Sequence, residues 1–399
     1  MWQSVEICDI IIIMLKKIRR KVCVILIYLD NAATTKPCEE SVRAVMETIT
    51  ENFGNPSSLH RVGLNAQLIV DKARKIIASS IGADSGEIYF TSGATESNNL
   101  ALRGTIGAYG KRRNKIVVSA VEHASIDTTV SELEKQGFEV VKVSPREDGQ
   151  FYAEDFINSC DEKTCIISMM LVNNETGHIL PVGQTFKAVK KRFPETVTHC
   201  DCVQGYMKLP VRVNALNADI ISLSGHKIHA VKGIGAIYIK KGIRVVPQMT
   251  GGHQEKGIRS GTESVPLIAS FGTAVEKYAP TISERYEKVS VLKKYLLEKL
   301  SEIDGITVNS PENASPYIVN ISAGRRSEIM LHFMEQNEIY ISSGSACSKG
   351  QQSGVLEQFG VNRKNADSAL RISMTSETTT EELDTFVNVL CEGIQKIRN

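Results

Sequence analysis

From Glu87 onward the chain alternates short β-branched runs with helix-length segments, and this constrains its fold more than any other feature of its 399 residues. The pattern predicts strands over residues 87–91, 115–119, 139–143, 164–172, 196–200, 220–223 and 235–239. Helices are predicted over 95–109, 125–136 and 182–192. Runs of that length between helices fit a mostly parallel sheet covered on both faces. Such a sheet needs right-handed crossovers and collects ligands at the carboxyl ends of its strands. A long amphipathic helix follows over 283–300, and the rhythm then changes. Strands are expected over 306–309, 317–321, 340–342 and 370–373, with helices over 328–337 and 380–397. This tail reads as a smaller α/β domain.

Charge and cysteine usage exclude several classes of function. Lys plus Arg is 47 and Asp plus Glu is 45, so no net charge draws the chain to nucleic acid or an anionic membrane. The nine cysteines are odd in number and scattered, with no C-x-x-C, which disfavours a disulfide framework or a zinc site. Reduced thiols and a cytoplasmic location are expected. The apolar run over residues 10–15 is far too short to span a bilayer, and its basic residues follow it instead of preceding it. Residues 1–27 are expected to be an extension outside the fold, from a start codon placed too early, with Met14 an alternative start.

Six short segments carry chemistry. Ser222-Leu-Ser-Gly-His-Lys227 places a lysine at a strand end, where desolvation and a nearby cation can free an amine to form an imine; alone, it could equally be a solvated surface lysine. Asp201-Cys-Val-Gln204 offers a carboxylate that can keep a pyridinium nitrogen protonated, or one that caps the next segment. Thr91-Ser-Gly-Ala-Thr-Glu-Ser97 opens a helix with free N–H groups and hydroxyls from Ser92 and Thr95. It suits one phosphate monoester and lacks the G-K-[ST] of a nucleotide loop. Glu122-His123 supplies an imidazole for stacking or proton transfer, or a hydrogen-bonded residue at a sheet edge. Val172-Asn-Asn-Glu-Thr-Gly177 supplies amides for a carboxylate or a phenolic oxygen, or forms a turn. Ser342-Ser-Gly-Ser-Ala-Cys-Ser348 sets Cys347 among small residues, which favours a reactive thiol; Cys202, beside Asp201, is the other cysteine expected to face a pocket.

Together these segments resemble a cysteine desulfurase of the NifS/IscS type, a pyridoxal-phosphate enzyme of the class V aminotransferase group. The resemblance runs from Tyr28 to the C-terminus, through Tyr28-Leu-Asp-Asn-Ala-Ala-Thr-Thr35, Asn55-Pro-Ser-Ser58, Gly251-Gly-His253 and Arg259-Ser-Gly-Thr262 as well as the segments above. It implies fold type I: a large domain over 41–282 with a seven-stranded sheet, and a small domain from 28–40 and 283–399 that carries the cysteine loop. It implies that Lys227 forms the internal aldimine, Asp201 pairs with the pyridine nitrogen, Gln204 contacts the ring hydroxyl and His123 stacks on the ring. Ala94, Thr95, Ser224 and His226 would hold the phosphate, with Thr262 reaching in from the other subunit of a homodimer. Asn174 and Arg371 would bind the substrate carboxylate, since a planar guanidinium pairs with both oxygens.

The implied reaction converts L-cysteine to L-alanine and leaves a persulfide on Cys347. The sulfur then passes to an acceptor protein for iron–sulfur clusters or tRNA thiolation, with no direct nucleic-acid contact. No resident metal is expected; a cluster would touch Cys347 only in passing. The loop from Ser345 to Leu356 resembles the long-loop group and lacks an Arg-x-Gly-His-His-Cys pattern. The chain departs from the family in Cys202, where Ala is usual, and in His229-Ala-Val231, where Tyr-Gly-Pro is usual. The alternatives are another class V reaction (selenocysteine lysis or transamination), for which Cys347 would be superfluous, and a non-catalytic sulfur-relay scaffold.

Overall fold

Seven of the apolar runs join in one sheet. The structure is a computed structural model and describes residues 26–343 and 354–397, so residues 1–25 of the expected extension and Cys347 with most of its loop lie outside the described residues. In chain order the first elements are β1 (Ile27–Tyr28), α1 (Glu39–Glu51), α2 (Arg61–Ile81), β2 (Ile88–Thr91), α3 (Ala94–Tyr109), β3 (Lys115–Ser119), α4 (Ala124–Lys135) and β4 (Glu139–Val143). Next come α5 (Ala153–Ser159), β5 (Thr164–Met170), α6 (Val182–Arg192), β6 (Val197–Asp201), α7 (Val213–Leu216), β7 (Ile220–Ser224), β8 (Gly235–Ile239) and α8 (Val265–Tyr278). The rest comprises α9 (Ile282–Ser301), β9 (Thr307–Val308), β10 (Ile318–Ser322), α10 (Ser327–Gln336), β11 (Ile339–Tyr340), α11 (Gly354–Gln358), α12 (Arg363–Asp367), β12 (Ala369–Ser373) and α13 (Thr380–Lys396).

The large sheet has the order β2-β8-β7-β6-β5-β3-β4. Every neighbouring pair is parallel except those of β8, which runs antiparallel to both β7 and β2. Strands β5 to β8 are buried at every residue, as a sheet covered on both faces requires. Alternate residues feed two cores. Val117, Ile167, Cys200, Ile221 and Ala236 pack on one face, and Ile116, Ile166, Val197, Ile220 and Ile237 on the other. A third core, with Val289, Leu296, Ile321, Met330, Phe386 and Leu390, joins α9, α10 and α13 to the antiparallel sheet β12-β10-β9.

The strands fall close to where the alternation put them. Strand β6 ends one residue later than expected, so Asp201 is its last residue. Pairing begins inside the segment 1–27: Ile27 is buried and lies opposite Ile339. Three long helices, α1, α2 and α8, were not legible. Helix α2 is bounded by ordinary signals, a His60 side chain accepting from Gly63 N–H and Gly82 at φ +71°. In α1 the apolar residues Val42, Met46 and Ile49 face outward, which blurs the usual helical stripe.

One buried ion pair fastens a loop of irregular backbone to this frame. Arg74 on α2 donates to both oxygens of Glu255, at 2.6 and 2.8 Å, and Glu255 also accepts from Phe90 N–H in β2 at 2.9 Å. The Glu255 side chain is 2% exposed, and both Glu255 and Lys256 have positive φ. Losing one partner strands a charge in the interior. Glu255→Ala should therefore cost about 3–5 kcal/mol of stability, read as a shifted urea midpoint at unchanged slope.

Candidate active site

The carboxyl ends of the parallel strands bring the expected residues to one edge of the sheet. Glu122 and His123 follow β3, Asn173 and Asn174 follow β5, Asp201 closes β6, and Ser224 to Lys227 follow β7. Helix α3 begins beside them, because β8 lays Gly235 against Gly93; a Cβ on Gly235 would lie 2.7 Å from the Gly93 Cα. Gly93 itself, at φ +155°, has open space where a side chain would stand.

The anchors are specific. Lys227 Nζ donates to the carbonyls of Ala32 and Ala33 at 2.6 and 2.7 Å. Gln204 Nε2 donates to the same Ala32 oxygen at 2.9 Å, so Lys227 and Gln204 are neighbours. Thr35 ties this strip down by donating from N–H and Oγ1 to the His226 carbonyl, at 2.9 and 3.0 Å. His226 is held neutral, its pKa pushed down to about 4 by burial and then by the Lys227 charge.

Asp201 and His123 are linked through two residues that the sequence reading did not single out. Asn98, one turn into α3, donates to Asp201 Oδ2 at 2.8 Å and to Ser125 Oγ at 2.9 Å. Ser125 N–H donates to His123 Nδ1 at 3.1 Å, and its hydroxyl lies 2.9 Å from the same atom. A backbone N–H can only donate, so neutral His123 carries its proton on Nε2. Burial lowers its pKa, the Asp201 charge opposes this, and Lys227 reinforces it. The signal for Asn98 was its place on the same helical face as Ala94, four residues on.

The remaining expected residues fall in three settings. Arg371 is buried on β12; its Nη2 donates to Asp30 Oδ1 at 2.8 Å and its Nη1 to the Asn174 carbonyl at 3.0 Å, while its Nε has no partner among the described residues. Arg371 and Asn174 are thus adjacent, with Asp30 holding one arm of the guanidinium. Thr262 is exposed, away from Lys227, in a groove with Ile49, Phe53 and Pro266. Arg259, from the same segment, reaches Glu96 at the start of α3, with its Nε 2.9 Å from Oε1. Cys202 corrects the expectation that it faces the pocket. It is fully buried, and its thiol donates to Cys200 Sγ at 3.4 Å, on the side of β6 opposite Asp201. His229, the other departure, stands at φ +65°, donates from N–H to Thr35 Oγ1 and packs on Tyr278, so it braces the 32–36 strip.

The donor set fits a phosphorylated pyridinium aldehyde. Ser224 Oγ, buried at the end of β7, has no hydrogen-bond partner among the described residues, and neither does Asn98 Oδ1 behind Asp201. Free N–H groups at Ala94 and Thr95, with open space at Gly93, suit a phosphate. Asp201 suits a protonated ring nitrogen, and Lys227 an aldehyde.

Comparisons with known proteins agree with that chemistry. Residues 27–386 match the model of the aminotransferase class-V family. The cysteine desulfurase IscS of Methanosarcina thermophila is 37% identical over 377 residues, 94% of this chain and 93% of that protein. A NifS/IcsS protein homolog of Lactobacillus delbrueckii is 36% identical, over 93% of this chain and 97% of its own. Among solved structures, a NifS-like protein superposes with a TM-score of 0.89 at 34% identity, covering 94% of this chain and all of that one. DndA from Streptomyces lividans gives 0.74 at 34% identity, covering 87% and 99%.

Behind the pocket, Glu122 is buried with Oε1 accepting from Ser119 Oγ at 2.5 Å and from Met170 N–H at 2.7 Å, while Oε2 has no partner among the described residues. Burial raises its pKa to about 8; the two hydrogen bonds oppose this and the Asp201 charge adds to it. A raised folded-state pKa means stability is greatest below about 4.5 and falls as pH rises to about 8, by on the order of 4 kcal/mol. Glu122→Gln should flatten that fall. Urea midpoints at pH 5.5 and 8 would converge in the variant and separate in the parent protein, and equal separation in both would contradict the assignment.

Proposed function

The chain belongs to the class-V aminotransferase family, and on that footing we propose that it is a cysteine desulfurase, converting L-cysteine to L-alanine with the sulfur captured on Cys347. The observation that carries this is the meeting of Lys227, Gln204, Asp201 and His123 around one strand-end pocket, with Arg371 and Asn174 at its side. Pyridoxal phosphate is the cofactor, and when bound it supplies an electron sink that acidifies the substrate α-carbon. Ala94, Thr95, Ser224 and His226 would hold its phosphate and Asp201 its ring nitrogen.

The residues themselves divide the work. Lys227, released from the Ala32 and Ala33 carbonyls, is the amine at the α-carbon and moves protons there. His123, uncharged with its proton on Nε2, would stack on the cofactor ring and could offer a hydrogen bond without adding a cation. Arg371 and Asn174 would orient the substrate carboxylate, with Asp30 fixing one arm of the guanidinium. The Cys347 thiolate attacks the substrate sulfur. An S–S bond forms as the carbon–sulfur bond breaks, and the carbon takes up a proton. Cysteine and thiol thus become alanine and persulfide with no external oxidant. The persulfide is then passed to an acceptor protein in iron–sulfur assembly or tRNA thiolation.

A homodimer fits the exposed apolar face. Met46, Ile49, Phe53, Leu59, Leu64 and Leu68 are all more than half exposed, with Leu59 fully so and Phe53 at 74%. Such a patch calls for a partner, and a second copy would bring Thr262 into the other subunit's phosphate site. The same fold leaves the cytoplasm as the natural compartment for its free thiols.

Two measurements test this. Purified protein given L-cysteine should yield one alanine per sulfur, with the persulfide located on Cys347 by mass spectrometry. Lys227→Ala should abolish alanine formation, and Cys347→Ala should abolish the persulfide while keeping the visible band of bound cofactor; 3-mercaptopyruvate together with pyridoxamine phosphate in place of alanine would point to transamination. Phe53→Asp combined with Leu59→Asp should convert a dimer to a monomer in sedimentation and weaken cofactor retention, because Thr262 is then lost from the facing site.

A further inference from the structure

Lys208 is buried close to the pocket and has no part in the chemistry above. It is 7% exposed, and its ammonium donates to Gln204 Oε1 at 2.9 Å. Its other near neighbour is the ring of Tyr317, 5.9 Å away at the centroid. Burial pushes its pKa down to about 7, and the nearby charges of Lys227, Arg371 and Arg285 push the same way. A buried lysine among cations is unfavourable, so its presence calls for a role.

An ammonium has three donors and no acceptor. While it holds its proton it can therefore engage only the oxygen of the Gln204 amide, which fixes the amide's orientation. The nitrogen end must then turn toward Lys227, and it does: Nε2 donates to the Ala32 carbonyl that also receives Lys227 Nζ. One N–H of that amide is thereby used and the other remains for an acceptor. We infer that Lys208 is a positioning residue, holding Gln204 so that its amide can only donate toward the phenolic oxygen of the bound cofactor. With Lys208 absent the amide is free to flip, and a flipped amide sets a carbonyl oxygen against that phenolic oxygen. This rests on the pyridoxal phosphate reading above.

The test compares the full chain with Lys208→Met, Gln204→Leu and the double variant. Each is titrated as apoprotein with pyridoxal phosphate, by fluorescence, and its visible absorption is then followed across pH. Lys208→Met should weaken cofactor binding roughly 3- to 10-fold, the equivalent of about one hydrogen bond, and shift the pH at which the band changes. In the Gln204→Leu background the same substitution should add nothing, since both residues act through one amide. An unchanged band and affinity in Lys208→Met would overturn the inference, and so would an equal shift with and without Gln204, which would mean that the lysine acts by its charge alone. Gln204→Glu gives an independent check should Lys208→Met not fold, because it keeps an oxygen for Lys208 and replaces the donor with an acceptor. It should shift the band in the same direction, and a parental spectrum would overturn the proposal. Failure of the parental protein to take up pyridoxal phosphate would instead overturn the function proposed above.

Discussion

The Ala32 carbonyl oxygen receives both Lys227 and Gln204, and much of the site depends on that shared acceptor. It belongs to a strip of chain that begins in β1, pairs through Asp30 with Ser373 beside β12, and crosses to the His226 carbonyl through Thr35. Residues 30–35 therefore join the antiparallel sheet to the end of β7. Through this strip, the position of Arg371 on β12 and that of Lys227 after β7 are set by one piece of backbone. Two backbone carbonyls, those of Ala32 and Ala33, hold the lysine in this position.

Charge in the pocket is arranged by burial as much as by pairing. His226 and His123 are kept neutral because their surroundings exclude water and hold cations. Glu122 keeps its proton behind Asp201 for the matching reason, since a second carboxylate there would be unscreened. Asp201 accepts from the Asn98 side chain on one oxygen and from Val203 N–H on the other. That contrast suits a pocket in which a single ring nitrogen is to be held charged.

The strands and the strand-end segments were legible because both follow local rules: β-branched runs of fixed length, and small or polar residues where a strand stops. Lys227, Asp201, Gln204 and His123 could be read for that reason, and the structure gathers them. Helices α1 and α8 were not legible. Much of the apolar surface of α1 faces outward, and α8 is apolar nearly all round, so neither shows a clean stripe. Asn98 and Asp30 were missed because each acts through a partner distant in sequence, Asp201 and Arg371, which no local pattern records; Ser125 and Lys208 have partners only two and four residues away, but nothing in the sequence marks those pairs as touching. The turn of Cys202 into the core follows from the period of two along β6, which sets it on the same face as Cys200 and opposite Asp201.

The antiparallel strand β8 has a consequence for biosynthesis. Strand β2 carries the loop that opens α3, and its partner in the sheet is β8, with Ile88 opposite Tyr238. As the chain leaves the ribosome, β2 must wait for roughly 150 further residues before its edge is covered. Strands β3 to β7 can assemble in the meantime, since their neighbours emerge sooner. The segment that opens α3 is therefore among the last parts of this sheet to be fixed.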